Sequence, residues 1–482
     1  MPARIWNLSC FNGFFAILAL CCLFLNGCSV LQGKKSAQQS SSKKPCIVLA
    51  LPDSGPYSAI STKIRHGAQE SKLELAKTGI NVRIENLNTE SPSWLTALYA
   101  LPAECAVVGG PMREKSYLAA EKAGALEKRA FFAFMPTLKA TDEGKRAWRF
   151  FPSPRDQIEA LVRFAADELG IRSFGSFYPS DSYGQRMTKI LETTLVSRNM
   201  TLKKASYNPK TPGTWSNSAA ELVQPIQSPG KSPVPQTTFE AVLLPDSWKN
   251  VDKITSSLLV NGEDRLVLMG TTLWEQGLSG KQVPNAQNYA LAIFPGAWNR
   301  ARAPKSLKGA NNDFWTALGY DFIRFAAHIG LSSRPTATEI TTYARQSSPA
   351  MRALAPITYD GHGVAHEKLH LFQISSTGMK PANVQELRQK RQQIQEQAAL
   401  RIRNIQAETT PEPGLTQESA DYSEEPASSN SAPTQISAPV EPELQHIPSP
   451  AIMRPASPQT PAQPQLGTVP QPSYKLRLPV KK

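Results

Sequence analysis

Short apolar runs alternate with helical stretches along residues 46–134, and after Phe150-Phe151-Pro152-Ser153-Pro154 the alternation begins again. The run Cys46-Ile47-Val48-Leu49-Ala50-Leu51 has no polar interruption. It reads as a strand buried on both faces, closed by the turn Pro52-Asp53-Ser54-Gly55-Pro56. Residues 57–76 then place Ile60, Ile64, Ala68 and Leu75 on one helical face. Further strands are expected at 81–85, 105–108 and 130–134, with helices at 93–101 and 114–123 between them. The second series places strands at 173–178, 202–207, 241–244 and 266–269, and helices at 156–169, 183–199 and 248–260. Gly170 is suited to end the first of these helices. This rhythm predicts an α/β fold of two parallel-sheet halves, each with helices on both faces.

The rest of the chain completes the second half and then changes character. Residues 289–294 read as a strand returning to the first half. Residues 312–329 form a helix with Phe314, Leu318, Phe322, Phe325 and Ile329 on one stripe. A helix is expected at 338–347 with Thr338 as its N-cap, and a strand within 367–375. Residues 383–408 are rich in Gln, Arg, Glu and Ala and predict an exposed helix. Beyond them 15 of the 72 residues at 411–482 are proline, so the 409–482 tail is expected to be disordered.

The amino-terminal stretch limits the compartment. Arg4 precedes twelve uncharged apolar residues, 14–25, too few to span a hydrocarbon core that needs about 20. The run ends in Leu25-Asn26-Gly27-Cys28, which resembles a bacterial lipobox, with Asn26 where a small residue is usual. The resemblance implies a signal peptide at 1–27, lipidation of Cys28, and a protein held on the periplasmic side of a bacterial membrane by acyl chains. Ser29 is compatible with the outer membrane. Residues 28–44 read as a flexible tether.

Export changes the meaning of the remaining composition. The net charge of +14 points to anionic lipid, cell-wall polymer or an acidic ligand, or to a solvated basic surface, and not to nucleic acid. Cys10, Cys21 and Cys22 lie in the cleaved segment, so the folded part keeps Cys46 and Cys105. In an oxidising compartment these form one disulfide if their strands are neighbours, or else two buried free thiols.

Several loops together resemble the type 1 periplasmic binding proteins of the leucine/isoleucine/valine-binding kind. Ile47-Val48-Leu49-Ala50-Leu51-Pro52-Asp53-Ser54-Gly55-Pro56-Tyr57 is similar to the first strand and loop of that family, and Val107-Val108-Gly109-Gly110-Pro111 to the third. Phe150-Phe151-Pro152-Ser153 resembles its first hinge crossing and Asp181-Ser182-Tyr183-Gly184 a second-lobe loop. Leu268-Met269-Gly270-Thr271 and Gly319-Tyr320-Asp321 complete the set, over residues 45–382.

The resemblance implies two lobes with three crossovers, the first lobe at about 45–152 and 290–335 and the second at about 153–289 and 336–382. It implies a ligand in an interlobe cleft, held by Ser54, Tyr57, Gly110, Pro111, Met135, Thr137, Tyr183, Trp248 and Thr271. Two departures stand out. The third-strand loop is Pro111-Met112-Arg113-Glu114-Lys115-Ser116, where amino-acid binders carry Ser and Thr for the carboxylate. After Met269-Gly270 comes Thr271-Thr272, with Glu275 the nearest acid for an ammonium group. The loop and the lipid anchor look more like the branch of lipoproteins that activate penicillin-binding proteins.

Catalytic patterns are not found. His362 and His366 are four apart, but Gly361 and Gly363 argue against the helix that would make them zinc ligands. No nucleophile elbow or phosphate-binding loop occurs. The expected function is therefore non-enzymatic, with no cofactor and no metal. It is a lipid-anchored solute-binding protein serving a transporter permease or, alternatively, a regulator that docks on a cell-wall synthase.

Overall fold

The computed structural model describes residues 44–278, 281–309 and 311–407. The signal peptide, Cys28, the tether before Lys44 and the 409–482 tail lie outside the described residues. Two compact units result. Among the described residues, unit 1 comprises 44–153 and 298–367, and unit 2 comprises 154–297 and 368–407. The chain passes from one unit to the other three times.

Unit 1 begins with β1 (Cys46–Leu51), β2 (Arg83–Asn88), β3 (Val107–Gly109), β4 (Ala130–Ala133) and β5 (Ala147–Arg149). They form one parallel sheet in the order β2-β1-β3-β4-β5. Central β1 is buried at every residue, as its unbroken apolar sequence requires, while the edge strand β2 is polar and partly exposed. Cys46 and Cys105 are joined in a disulfide that ties β1 to the approach to β3. The Arg83 guanidinium lies 3.2 Å from Cys46 Sγ and 3.1 Å from Cys105 Sγ.

Unit 2 opens with helix Pro154–Arg163, which widens into a π turn over Phe164–Glu168. Strands β6 (Ser173–Pro179), β7 (Thr201–Tyr207), β8 (Ala241–Leu243), β9 (Val267–Met269) and β10 (Ala292–Gly296) follow. The chain then returns to unit 1 for helices Phe314–Ile329 and Ala337–Ser347 and for the antiparallel pair β11 (Ile357–Tyr359) and β12 (Ala365–Glu367). It ends in unit 2 with β13 (His370–Ser375), β14 (Gly378–Pro381) and helix Val384–Ala407. The unit 2 sheet runs β14-β13-β10-β9-β8-β6-β7, parallel except for β13, which is antiparallel to both β10 and β14.

Three expectations are corrected here. The strand near 289–294 does not return to the first half, because β10 pairs with β9 and β13 inside unit 2, and so the second crossing falls at 297/298. The third falls at 367/368 and not near 335. Helix Ala337–Ser347 stays in unit 1, with Ile340 and Ala344 fully buried and Thr341 Oγ1 accepting from Trp148 Nε1 at 3.1 Å. Its N-cap is Thr336, not Thr338. A reciprocal capping box needs a Glu three residues on, and the Thr336 hydroxyl and the Glu339 carboxylate supply each other's backbone partners at 3.3 and 2.9 Å.

The exposed helix expected at 383–408 is present as Val384–Ala407, most of it exposed, with one face docked on unit 2. Leu387 and Ala398 are buried. Arg388 and Arg391 donate to the Glu168 and Leu169 carbonyls at 2.7 and 3.0 Å, the negative end of the helix that opens unit 2. Arg401 grips Asp264 with two bonds of 2.7 and 2.8 Å.

The core of unit 1 is held by a close helix crossing and an aromatic cluster. A Cβ on Gly67 of helix Ser58–Lys77 would stand 1.8 Å from the Thr316 carbonyl oxygen, and one on Gly319 would stand 1.9 Å from that of Ile64. Glycine at both positions is what lets the two backbones meet. Phe132, Phe134, Phe150, Phe322 and Phe325 interlock with ring centroids 5.0 to 6.5 Å apart. Asp321, fully buried, accepts from the backbone N–H of Arg352 at 2.7 Å, Ala353 at 3.0 Å and Leu354 at 2.7 Å. Burial pushes its carboxyl up to about 6, against the opposing effect of those amides.

Candidate functional site

In open parallel sheets the loops after the strands' carboxyl ends are where ligands meet the fold. Unit 1 carries all six of its expected residues on the loops after that edge. Ser54 and Tyr57 follow β1, Gly110 and Pro111 follow β3, and Met135 follows β4. Gly110 has φ +97°, and a Cβ there would stand 2.4 Å from the Ala50 carbonyl oxygen, so only glycine fits. Pro111 and Met135 are buried, Tyr57 is half-buried, and Ser54 is exposed with a hydroxyl that caps no helix. Thr137 lies beyond Met135 in an exposed loop.

Two residues not singled out from sequence organise this edge. The Arg113 guanidinium lies over the Tyr57 ring, 5.5 Å from its centroid, and donates to Glu90 Oε1 at 2.7 Å. Asn88 Oδ1 accepts from the backbone N–H of Asp53 at 2.9 Å and of Glu90 at 3.0 Å, fastening the β1 and β2 loops together. Asp53 is paired with Arg65. Thr89, at the end of β2, is 7% exposed and its hydroxyl has no hydrogen-bond partner. The only sequence sign of the Arg113–Glu90 pair was an unusual basic residue in the third-strand loop.

Unit 2 presents the other three residues at its own carboxyl edge. The Tyr183 hydroxyl donates to Thr271 Oγ1 at 3.2 Å, and Thr271 is fully buried. Gln157 Oε1 accepts from the Thr272 backbone at 3.1 Å, a contact sequence reading missed because the two residues lie 115 positions apart. Trp248 does not join Tyr183 and Thr271. Its ring packs edge-on against Trp274 at 5.6 Å and Tyr289 at 5.1 Å, as part of the aromatic core.

The acids of this edge are engaged as well. Asp181 caps helix Ser182–Val196 by accepting from Gly184 N at 2.8 Å. Asp246 accepts from the Tyr207 hydroxyl at 2.8 Å, from Ser247 N at 2.6 Å and from Asn250 Nδ2 at 2.9 Å. Burial and this acid push the Tyr207 hydroxyl far up. Glu275 packs at Gly296, where a Cβ would stand 2.9 Å from its Oε2. Ser247 keeps a buried hydroxyl with no hydrogen-bond partner. A groove of about 680 Å³ in unit 2 lies at the opposite, amino edge, lined by Ser173, Glu240, Leu266, Ala399 and Ile402 among others.

No protein-family model and no curated protein matches the chain. Solved structures do. A protein of Rhodospirillum rubrum described as a branched-chain amino acid ABC transporter superposes with TM-score 0.53 at 11% identity, over 70% of this chain and 100% of that one. The chain has the type 1 periplasmic-binding fold. LpoA of Haemophilus influenzae shares it with TM-score 0.50 at 14% identity, over 71% of this chain and 59% of LpoA. The C-domain of that protein, described as a regulator of PBP1A, gives 0.47 at 13% identity over 70% of this chain and 100% of the domain.

Within the type 1 periplasmic-binding fold, His362 and His366 occupy a turn and β12, not a helix. His366 Nε2 lies 3.6 Å from Asp360. Among the described residues no group of three His, Cys, Asp or Glu side chains is placed to hold a metal. Nor is any described helix long and apolar enough to cross a membrane.

Proposed function

We propose that this chain is a lipid-anchored protein of the bacterial cell envelope that uses its type 1 periplasmic-binding fold to dock on a cell-wall synthase, and that it does not deliver amino acids to a transporter permease. The observation that carries this reading is the state of the charged side chains at the carboxyl edges. Asp53 is paired with Arg65, Arg113 with Glu90, Asp181 with a helix N-terminus, and Asp246 with Tyr207 and Asn250. An amino acid brings a carboxylate and an ammonium group out of water, and each needs a partner of opposite charge. Here those partners are already engaged inside each unit. The loop after β3 supports docking. Glu114 and Lys115 are exposed beside half-buried Met112, and Leu118 one turn on is 39% exposed.

A second reading has its own support. The unpartnered hydroxyls of Thr89 and Ser247 stand one at each carboxyl edge, and unmet buried hydroxyls suit a small uncharged polar ligand. A thermal-shift panel separates the readings, run on the chain from residue 28 onward carrying Cys28→Ser. A ligand at 100 times its Kd adds about 2.7 kcal/mol, or about 5 to 10 °C for a unit of this size. The docking reading expects no shift from amino acids, short peptides, nucleobases or muropeptide fragments. A shift with an amino acid refutes it, and a shift with a neutral polar compound supports the second reading.

A further inference from the structure

The residues at 276–312 contain no Asp or Glu but five cations, four of them crowded into nine positions as Arg300, Arg302, Lys305 and Lys308. In unit 1 these four lie on one ordered loop. Trp298, Asn299, Ala303 and Leu307 are buried beneath it, at 6% exposure or less. Asn299 Oδ1 accepts from Ala301 N at 3.1 Å, Arg300 donates to the Asn312 carbonyl at 3.1 Å, and a 3-10 turn forms over Lys305–Leu307. Arg302, Lys305 and Lys308 are exposed. The loop is fixed to helix Ser58–Lys77 by the Ser306 hydroxyl, which donates to Glu74 Oε1 at 2.6 Å. Glu74 is also bonded by the Tyr320 hydroxyl and approached by Arg324 at 3.9 Å, and these partners hold its carboxyl below the usual range against the effect of burial.

The contacts of this loop place part of it at one end of unit 1. Helix Ser58–Lys77 leaves the carboxyl edge after β1 and ends near the amino edge, where β2 starts with Arg83 opposite Cys46. Glu74 is in its last turn, so the Lys305–Leu307 turn sits toward the end of unit 1 where Lys44 leads into β1, while Arg300, on the Asn312 carbonyl, lies nearer the Asp313–Lys63 pair in the first half of the helix. Lys44 and Lys77 are exposed at that end, and Leu73 beside them is 59% exposed. Lys44 is sixteen positions after Cys28, a reach of at most about 55 Å.

We propose that the Arg302–Lys308 part of the loop, with Lys44, Lys77 and Leu73, is a membrane-docking face that binds the anionic headgroups of the bilayer carrying the anchor. The orientation rests on the lipid-anchored reading, but the binding itself does not require the acyl chains.

The test uses the chain from residue 28 to 482 with Cys28→Ser, pelleted with vesicles of phosphatidylethanolamine and phosphatidylglycerol, or of phosphatidylcholine alone. Binding is expected only to the anionic vesicles and should weaken steeply with salt. Each cation near such a surface contributes about fivefold in partitioning, so Arg302→Ala, Lys305→Ala and Lys308→Ala together should lower it about a hundredfold. These side chains are exposed, and an unchanged melting temperature shows that the fold is intact. Equal binding by the triple variant overturns the proposal, as does equal binding to neutral vesicles. Binding that emerges only once residues 408–453 are removed also overturns it, and assigns the loop to that tract, which has eight acids and no Lys or Arg. The mass of the mature wild-type chain reads lipidation separately, so failure of the anchor and failure of the docking face are distinguishable.

Discussion

Asp321 supports the sharpest stability prediction. Its carboxylate is fully buried and accepts from three consecutive backbone N–H groups, Arg352, Ala353 and Leu354, at 2.7 to 3.0 Å. Asp321→Ala would leave three backbone donors without this partner, two of them buried, each costing about 1 to 3 kcal/mol. Allowing for relaxation, the loss is about 3 to 6 kcal/mol, or about 10 °C or more in the melting of unit 1.

The same carboxyl gives a pH signature. Its folded-state value is raised to about 6 from 3.8, so between those values the folded chain keeps a proton the unfolded chain has released. Stability from this group is therefore fully present below about pH 4. It falls as pH rises toward 6, by about 3 kcal/mol in all, and is level above that. Asp321→Asn keeps one acceptor oxygen and cannot titrate, so it should abolish that part of the slope while costing less than alanine. The assay is calorimetric melting of wild type and both variants at closely spaced pH from 4 to 7. A loss under about 1 kcal/mol for the alanine variant would refute the anchoring role, and an unchanged slope in the asparagine variant would show that another group titrates.

Two further predictions concern unit 1. Gly319→Ala puts a methyl 1.9 Å from the Ile64 carbonyl oxygen, so the helices must part. A loss of about 2 to 4 kcal/mol is expected in urea titration, and a neutral result would mean the crossing is looser than described. Replacing Cys46 and Cys105 together by alanine opens a loop with a sequence separation of 59. By loop entropy this costs about 4 kcal/mol, which should appear as equal melting of the variant and the reduced wild type.

The parallel strands were legible because their apolar runs are short and bounded by turn residues, and the long helices because Ile60, Ile64, Ala68 and Leu75 fall on one face, all of which proves buried. The second and third crossings were not legible. Residues 292–296 look like any buried strand, and only their pairing with β9 and β13 says which sheet owns them. The last helix was legible as exposed, but its docking was not, because so few of its residues are apolar. It is held by a thin stripe of Val384, Leu387, Ile394 and Ala398 together with arginines on carbonyls and on Asp264. At the site, the backbone demand on Gly110 was readable from the Gly-Pro turn. The Arg113–Glu90 pair and the Gln157–Thr272 contact join residues far apart in sequence, and no local pattern announces them. Trp248 was taken for a ligand-facing ring, because an aromatic at a helix start looks the same whether it faces a ligand or packs on Trp274.

The central claim is that this fold serves as a docking module for a cell-wall synthase. The direct measurement is capture of the tagged full-length protein from detergent-solubilised membranes, with the eluate labelled by a fluorescent penicillin. The account predicts a labelled synthase that co-elutes with wild type and is lost with Met112→Asp and Lys115→Glu, at an unchanged melting temperature. An eluate without any penicillin-labelled protein, or one whose labelled protein is unaffected by those substitutions, would contradict it.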